Sequence, residues 1–169
     1  MSGGAIDVAL RGIGLLGPGL DGWAAGQVLL RAPAGWRGVP TAVPLPARLA
    51  PTERRRAGTI VKAAIAVAEE ACAAAGLDPA LPASVFASSS ADPANCHTLC
   101  EALAAPQRLV SPTRFTNSVH NAASGYWHIA AQSTQASTSL SAFDASFAAG
   151  LLEAAVQCRA GGGPVLLVA

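Results

Sequence analysis

Charge and aromatic side chains are what this 169-residue chain has least of. Only 12% of its residues are charged and 5% aromatic, and Lys62 is its one lysine. The net charge of +1 offers little attraction to a phosphate backbone, which excludes a general nucleic-acid binder. Also missing is a run of about 18 apolar residues free of charges and breakers, so no membrane span is expected. Asp7, Arg11 and Asp21 stand among glycines near the start, unlike a signal peptide, and a cytoplasmic chain is expected. Cysteine is sparse: Cys72, Cys96, Cys100 and Cys158, with one cluster at Cys96, His97 and Cys100. A zinc site needs about four ligands, and Cys72 and Cys158 lie in apolar helical patterns. Buried free thiols are therefore expected, with no metal and no cofactor.

What is present is apolar and small. Hydrophobic residues make up 51% of the chain, which excludes disorder. Alanine supplies 39 of them, which favours closely packed helices over a lipid-facing surface. The length suits one domain, residues 1–169, burying roughly 70% of its unfolded surface.

Periodicity predicts alternating strands and helices. Residues 6–11 alternate apolar and polar, as a strand does, and run into a glycine-rich turn. Residues 17–50 are rich in Gly and Pro and predict irregular packing. One long helix is expected from Pro51 and Thr52, with Ala57, Ile60, Val61, Ala64, Val67, Ala68, Ala71, Cys72 and Ala75 on its apolar face and Gly76 as its stop. Arg54, Arg55 and Arg56 read as its solvated first turn, with contact to a phosphate or an acidic partner as the alternative. A short strand over 84–89 follows, then a helix from Asp92 or Pro93 to about residue 105. Another helix is expected over 117–131, a strand over 137–143, a helix over 144–159 and a final strand over 164–169. The order β-α-β-α-α-β-α-β predicts an α/β domain around a mainly parallel sheet flanked by helices.

Three local signals bear on chemistry. Gly12-x-Gly14-x-x-Gly17 matches the dinucleotide fingerprint as text. That motif needs a helix starting at the glycines and an acidic residue about 20 positions on. Pro18 and Gly19 oppose such a helix, and residues 22–52 hold no Asp or Glu, so a tight turn is the better reading. The second signal is the polar stretch from Ser111 to Gly125, read either as a loop with a helix capped by Thr116 or Asn117, or as an interaction or active-site loop. Gly125 would let another backbone approach. The third is the strand–turn–helix around residue 144, a common place for a nucleophile. Asp144 stands there. It is expected to cap the helix and complement its dipole, which makes it a poor general acid. No Gly-x-Ser-x-Gly elbow supports a serine hydrolase.

These segments together resemble a known family. Residues 6–19 are similar to the first strand and turn of β-ketoacyl synthases. The pattern Ser111-Pro112-x-x-Phe115-x-Asn117-Ser118-Val119-His120-Asn121, then Gly125, the strand to Phe143 and the helix through Glu153, resembles the synthase segment around the catalytic cysteine. Counting forward from Asn121 and Gly125, or back from Ala154 and Ala155, the cysteine position falls on Asp144. The chain is most similar to the short ketosynthase-like N-terminal family of chain-length-factor-like proteins from aryl-polyene pigment clusters.

The resemblance implies a thiolase-like half domain, a five-stranded mixed sheet between helix layers. Active ketosynthases join two such halves, the first supplying the nucleophilic Cys and the second His, Asn and Lys. His120 and His128 lie in the wrong half for that role. The chain ends inside what the family pattern makes a central strand, so a half lacking its last strand is expected. The implied role is a non-catalytic, chain-length-factor-like subunit partnering a β-ketoacyl synthase in polyketide or fatty-acid-type synthesis. Arg114, Phe115, Ser118 and Val119 would contact the partner or limit its acyl tunnel. Ser111, Pro112, Asn117, His120, Asn121 and Gly125 would form the structural motif. Two alternatives stay open. One is a residual enzyme, such as a malonyl-carrier decarboxylase or acyltransferase. The other is a homodimeric module that binds acyl chains or acyl carrier protein.

Overall fold

The computed structural model describes residues 5–169. Its main sheet has three strands, all parallel: β3 (Ala83–Ala87) lies between β4 (Ser137–Leu140) and β5 (Val165–Val168). A separate hairpin, β1 (Leu16–Gly17) with β2 (Leu20–Asp21), precedes it in the chain. The helices are α1 (Trp23–Arg31), α2 (Pro51–Arg56), α3 (Thr59–Ala75), α4 (Pro93–Ala104), α5 (Pro112–Thr116), α6 (Ala122–Ala131) and α7 (Ser146–Gly161).

Three layers result. Helices α3 and α6 cover one face of the sheet, and α7 covers the other. The core on the first face joins Val61, Ile65, Ala68 and Cys72 of α3 to Tyr126, Trp127, Ala130 and Ala131 of α6, above Phe86, Leu166 and Val168. Alanine makes this spacing attainable, since short side chains let helix and sheet approach closely. On the second face Gly150 does the same for α7. A Cβ there would sit 2.6 Å from the Ala87 methyl, closer than side chains tolerate. α3 ends as its sequence predicts: Gly76 takes φ 65°, and the Leu77 N–H donates to the Cys72 carbonyl at 3.0 Å.

Several sequence expectations are corrected. The helix expected from residue 51 is two helices. Ala57 is extended and Gly58 has ψ 168°, which breaks the ladder between α2 and α3. The expected 117–131 helix begins at Ala122, and neither Thr116 nor Asn117 caps it. The strand expected to reach residue 143 stops at Leu140, and the last helix starts at Ser146. Residues 6–11 form no strand, because no described strand lies alongside to accept their hydrogen bonds. Residues 17–50 are more regular than expected, holding the hairpin and the nine-residue α1.

The N-terminal segment is held by α3. Glu70 accepts the Leu15 N–H on one carboxylate oxygen at 2.9 Å and the Trp23 N–H on the other at 2.6 Å. The second bond caps α1 with a side chain from a remote helix. Gly12 and Gly14 lie directly on the α3 backbone: a Cβ on Gly12 would strike the Ala71 carbonyl, and one on Gly14 the Val67 carbonyl. The glycine pattern that mimics a nucleotide fingerprint thus serves close packing.

Two outcomes follow from these contacts. Gly14→Ala should free the N-terminal segment and leave the sheet core folded, seen as faster tryptic cleavage at Arg11 with unchanged far-ultraviolet dichroism. An unaltered cleavage rate would contradict the packing role. The second concerns Glu69. Burial pushes its carboxyl above 4.5, and Arg48 opposes this only in part. Arg48 Nε lies 3.7 Å from Glu69 Oε1, beyond hydrogen-bond range. A carboxyl raised on folding adds stability at low pH that is lost as pH rises through its folded value. Glu69→Gln should therefore melt above the parent at neutral pH, the gap closing as pH falls below the ordinary carboxylate range. A lower melting temperature at neutral pH would show that the Arg48 pair outweighs burial.

Candidate functional site

The polar stretch expected to carry function is a projecting loop pinned at both sides. Ser111 caps α5, and Pro112 occupies its first turn, where a missing N–H costs nothing. Thr116 Oγ1 donates back to the Pro112 carbonyl at 3.0 Å, and Ser118 Oγ to the Phe115 carbonyl at 2.7 Å. Two buried asparagines anchor the loop. Asn117 Nδ2 donates to the Arg56 carbonyl at 2.7 Å, and Asn95 Nδ2 to the Arg114 carbonyl at 2.9 Å. The first bond satisfies a carbonyl left over where α2 stops before α3. With its backbone fixed, the loop holds Arg114, Phe115, Ser118, Val119 and His120 in solvent. Phe115 is 66% exposed, which is unusual for a side chain of that size on a fixed turn.

Asp144 does not cap α7. It sits in a 3₁₀ turn, Phe143–Ala145, and its carboxylate is exposed. Ser146 does the local work: its Oγ donates to the Phe143 carbonyl at 2.7 Å and accepts the Ala142 N–H at 3.0 Å. The hydroxyl is shorter than the carboxylate arm and closes the turn from inside, leaving Asp144 outside. Phe143 has φ 51° and is 78% exposed. A bulky residue in the left-handed region is strained and costs roughly 1–3 kcal/mol. No hydrogen bond or ion pair joins Asp144 to the 111–121 loop among the described residues.

A second polar group, absent from the sequence reading as a cluster, ties α6 to the sheet. Ser84 Oγ donates to Ser137 Oγ at 2.9 Å and lies 3.3 Å from His128 Nε2, and Ser124 Oγ lies 3.2 Å from Ser139 Oγ. These residues bring three segments together from afar, so local pattern carried no sign of them. Asn95 was likewise missed, because its role is to hold a carbonyl 19 positions away. Gly125 faces open space, and among the described residues no backbone uses the room it leaves.

Other chemistry is sparse. Burial pushes the Cys72 thiol up, away from the reactive thiolate. Cys96 and Cys100 are exposed on α4. Among the described residues no group of three His, Cys, Asp or Glu side chains could hold a metal. No described helix is long and apolar enough to cross a membrane.

A family model for the N-terminal domain of β-ketoacyl synthases matches residues 30–169. The chain belongs to this family. Among solved structures it is similar to a chain of the ketosynthase ApeO in complex with its chain length factor ApeC from Xenorhabdus doucetiae. That match has a TM-score of 0.71 and 26% identity, over 88% of this chain and 60% of that one. It also shares its fold with a β-ketoacyl synthase from Burkholderia phymatum STM815, at TM-score 0.67 and 16% identity, over 90% of this chain and 43% of that one. This ketosynthase-like chain therefore spans less than two thirds of either relative. No curated protein matches it. The α/β layers and parallel sheet are those of part of a thiolase-like half domain, as the sequence implied.

The exposed state of Asp144 fixes one expectation. Asp144→Asn and Asp144→Ala should each change stability by less than about 0.5 kcal/mol, as surface substitutions do, measured by urea unfolding. A loss of 1 kcal/mol or more from alanine, roughly the worth of a cap, would restore the capping role.

Proposed function

We propose that this chain is a non-catalytic, chain-length-factor-like subunit that works beside a cysteine-bearing β-ketoacyl synthase. Asp144 is the observation that carries this reading. Ketosynthases hold the growing acyl group as a thioester, and a thiolate is needed to form it. A carboxylate at that place would give a mixed anhydride, which water cleaves readily. The exposed Asp144 therefore argues against condensation by this chain.

The surface supports a partner. β4 is an edge strand with β3 as its one described neighbour, and an open edge invites pairing with another chain. Beside it α7 exposes Phe147, Leu151, Leu152 and Val156, and Phe143 stands at its start. Contiguous apolar surface of this kind marks an interaction site. Phe115 and Val119 extend the same character to the loop, where Phe115 would limit an acyl tunnel by bulk. The relative from Xenorhabdus doucetiae is itself part of a ketosynthase–chain length factor complex. Its matched chain is shorter than the Burkholderia synthase, since similar stretches cover 60% of one and 43% of the other. Residues 1–169 act here as one ketosynthase-like unit, in polyketide or fatty-acid-type synthesis of the aryl-polyene kind.

Co-expression with a cysteine-bearing β-ketoacyl synthase of the aryl-polyene kind should yield a complex on size exclusion. Phe115→Ala should then lengthen the acyl product, read by mass spectrometry, with the complex intact. A chain that elutes alone in the presence of that ketosynthase would sink the assignment.

A further inference from the structure

The two faces of the sheet are covered unequally. α3 and α6 cover one, and α7 alone covers the other, lying mainly across β3 and β5. Gly150 packs on Ala87 and Leu167 of the sheet, and Ala154 is buried one turn further on. The outer side of α7 carries Phe147, Leu151, Leu152 and Val156 at 62%, 49%, 59% and 44% exposure, with Phe143 at 78% just before it. With an aromatic side chain spanning about 150–250 Å², the exposed parts of these five amount to roughly 500 Å². A stable dimer covers about 800 Å² per partner, and homodimer interfaces are roughly 65% apolar. Each copy of this face thus offers the apolar area that one side of a stable dimer needs.

The face also matches itself. About the midpoint between Leu151 and Leu152, Ala148 is the counterpart of Ala155, Phe147 of Val156 and Asp144 of Arg159. Two copies of α7 packed antiparallel across a two-fold axis bring these counterparts together, each pair twice. With 3.6 residues per turn, Ala148 and Ala155 fall in the middle of the outer side, where short side chains let two helix axes approach. Asp144 and Arg159 are exposed and in no ion pair among the described residues. Opposed across the axis, they place opposite charges together at both ends of the contact. Rim pairs of this kind add little affinity but fix the register.

We propose that the outer face of α7 is a self-association surface, on which a second copy of this chain packs its own α7 antiparallel about a two-fold axis. The proposal goes beyond the synthase assignment and does not rest on it, because both sides of the contact come from this chain. The β4 edge and the 111–121 loop stay open to a synthase.

Sedimentation equilibrium of the purified chain, with no synthase present, tests it. The chain should sediment as a dimer at tens of micromolar. Leu152→Glu, at an exposed position, should return it to a monomer with unchanged circular dichroism. Asp144→Arg should loosen the dimer about tenfold at low salt by setting like charges together. Adding Arg159→Asp to the same chain should restore it, a rescue expected only where the two positions meet across a dimer. Should Leu152→Glu unfold, the charge reversals decide. A chain that is monomeric at that concentration would overturn the proposal and leave the synthase assignment standing. A dimer that survives a folded Leu152→Glu, or a double reversal no tighter than Asp144→Arg alone, would overturn it too.

Discussion

The close approach of α3 to everything around it governs this structure. One face of α3 buries Val61, Ile65, Ala68 and Cys72 against β5 and α6. Another face accepts the N-terminal segment so tightly that Gly12 and Gly14 have no room for a side chain. Glu70, on the same helix, receives two backbone N–H groups and so fixes where α1 begins. The start of α3 is set from the other direction, by the Asn117 amide holding the last carbonyl of α2. A helix tied this way cannot slide by a residue without losing its core, its glycine contacts and its buried hydrogen bonds together. The loop at 111–121 inherits that rigidity through Asn117, while Asn95 ties it to α4.

Rigidity matters for what the loop and the Asp144 turn present. An exposed Phe115 on a mobile loop would fold back onto the nearest apolar surface. Held by Asn117 and Asn95, it stays out. The turn before Asp144 shows the same logic under strain. Phe143 in the left-handed region shapes the turn between β4 and α7, and the residue that this turn leaves exposed is a carboxylate, Asp144.

Much of this was legible in the sequence, and the exceptions share a physical cause. β3, α4, α7 and β5 follow from periodicity, Asp92 as a cap and Gly76 as a stop, all local signals. The break at Ala57 and Gly58 was hidden because the apolar face of the helix continues in phase through it. α1 was missed because its capping carboxylate is 47 residues away. The strand at residues 6–11 was expected from alternation alone, but alternation reports a side-chain pattern and not the presence of a neighbour. At the site, Arg114, Phe115, Ser118 and Val119 are all exposed. The anchors Asn95 and Arg56, and the Ser84–His128–Ser137 group, could be found only in three dimensions.

The low charge content takes its meaning from the exposed surface. A chain with so few charges has little with which to keep a bare apolar face in water. Phe143, Phe147, Leu151 and Leu152 are each about half exposed or more, on and beside one helix next to an open sheet edge. Burying an apolar side chain of this size stabilises by roughly 1.5–3 kcal/mol, so four together rival the stability of a small domain. Charged residues would solvate such a face in a protein built to stand alone. Their scarcity on α7, where Glu153 and Arg159 are the only two, is what a docking surface requires.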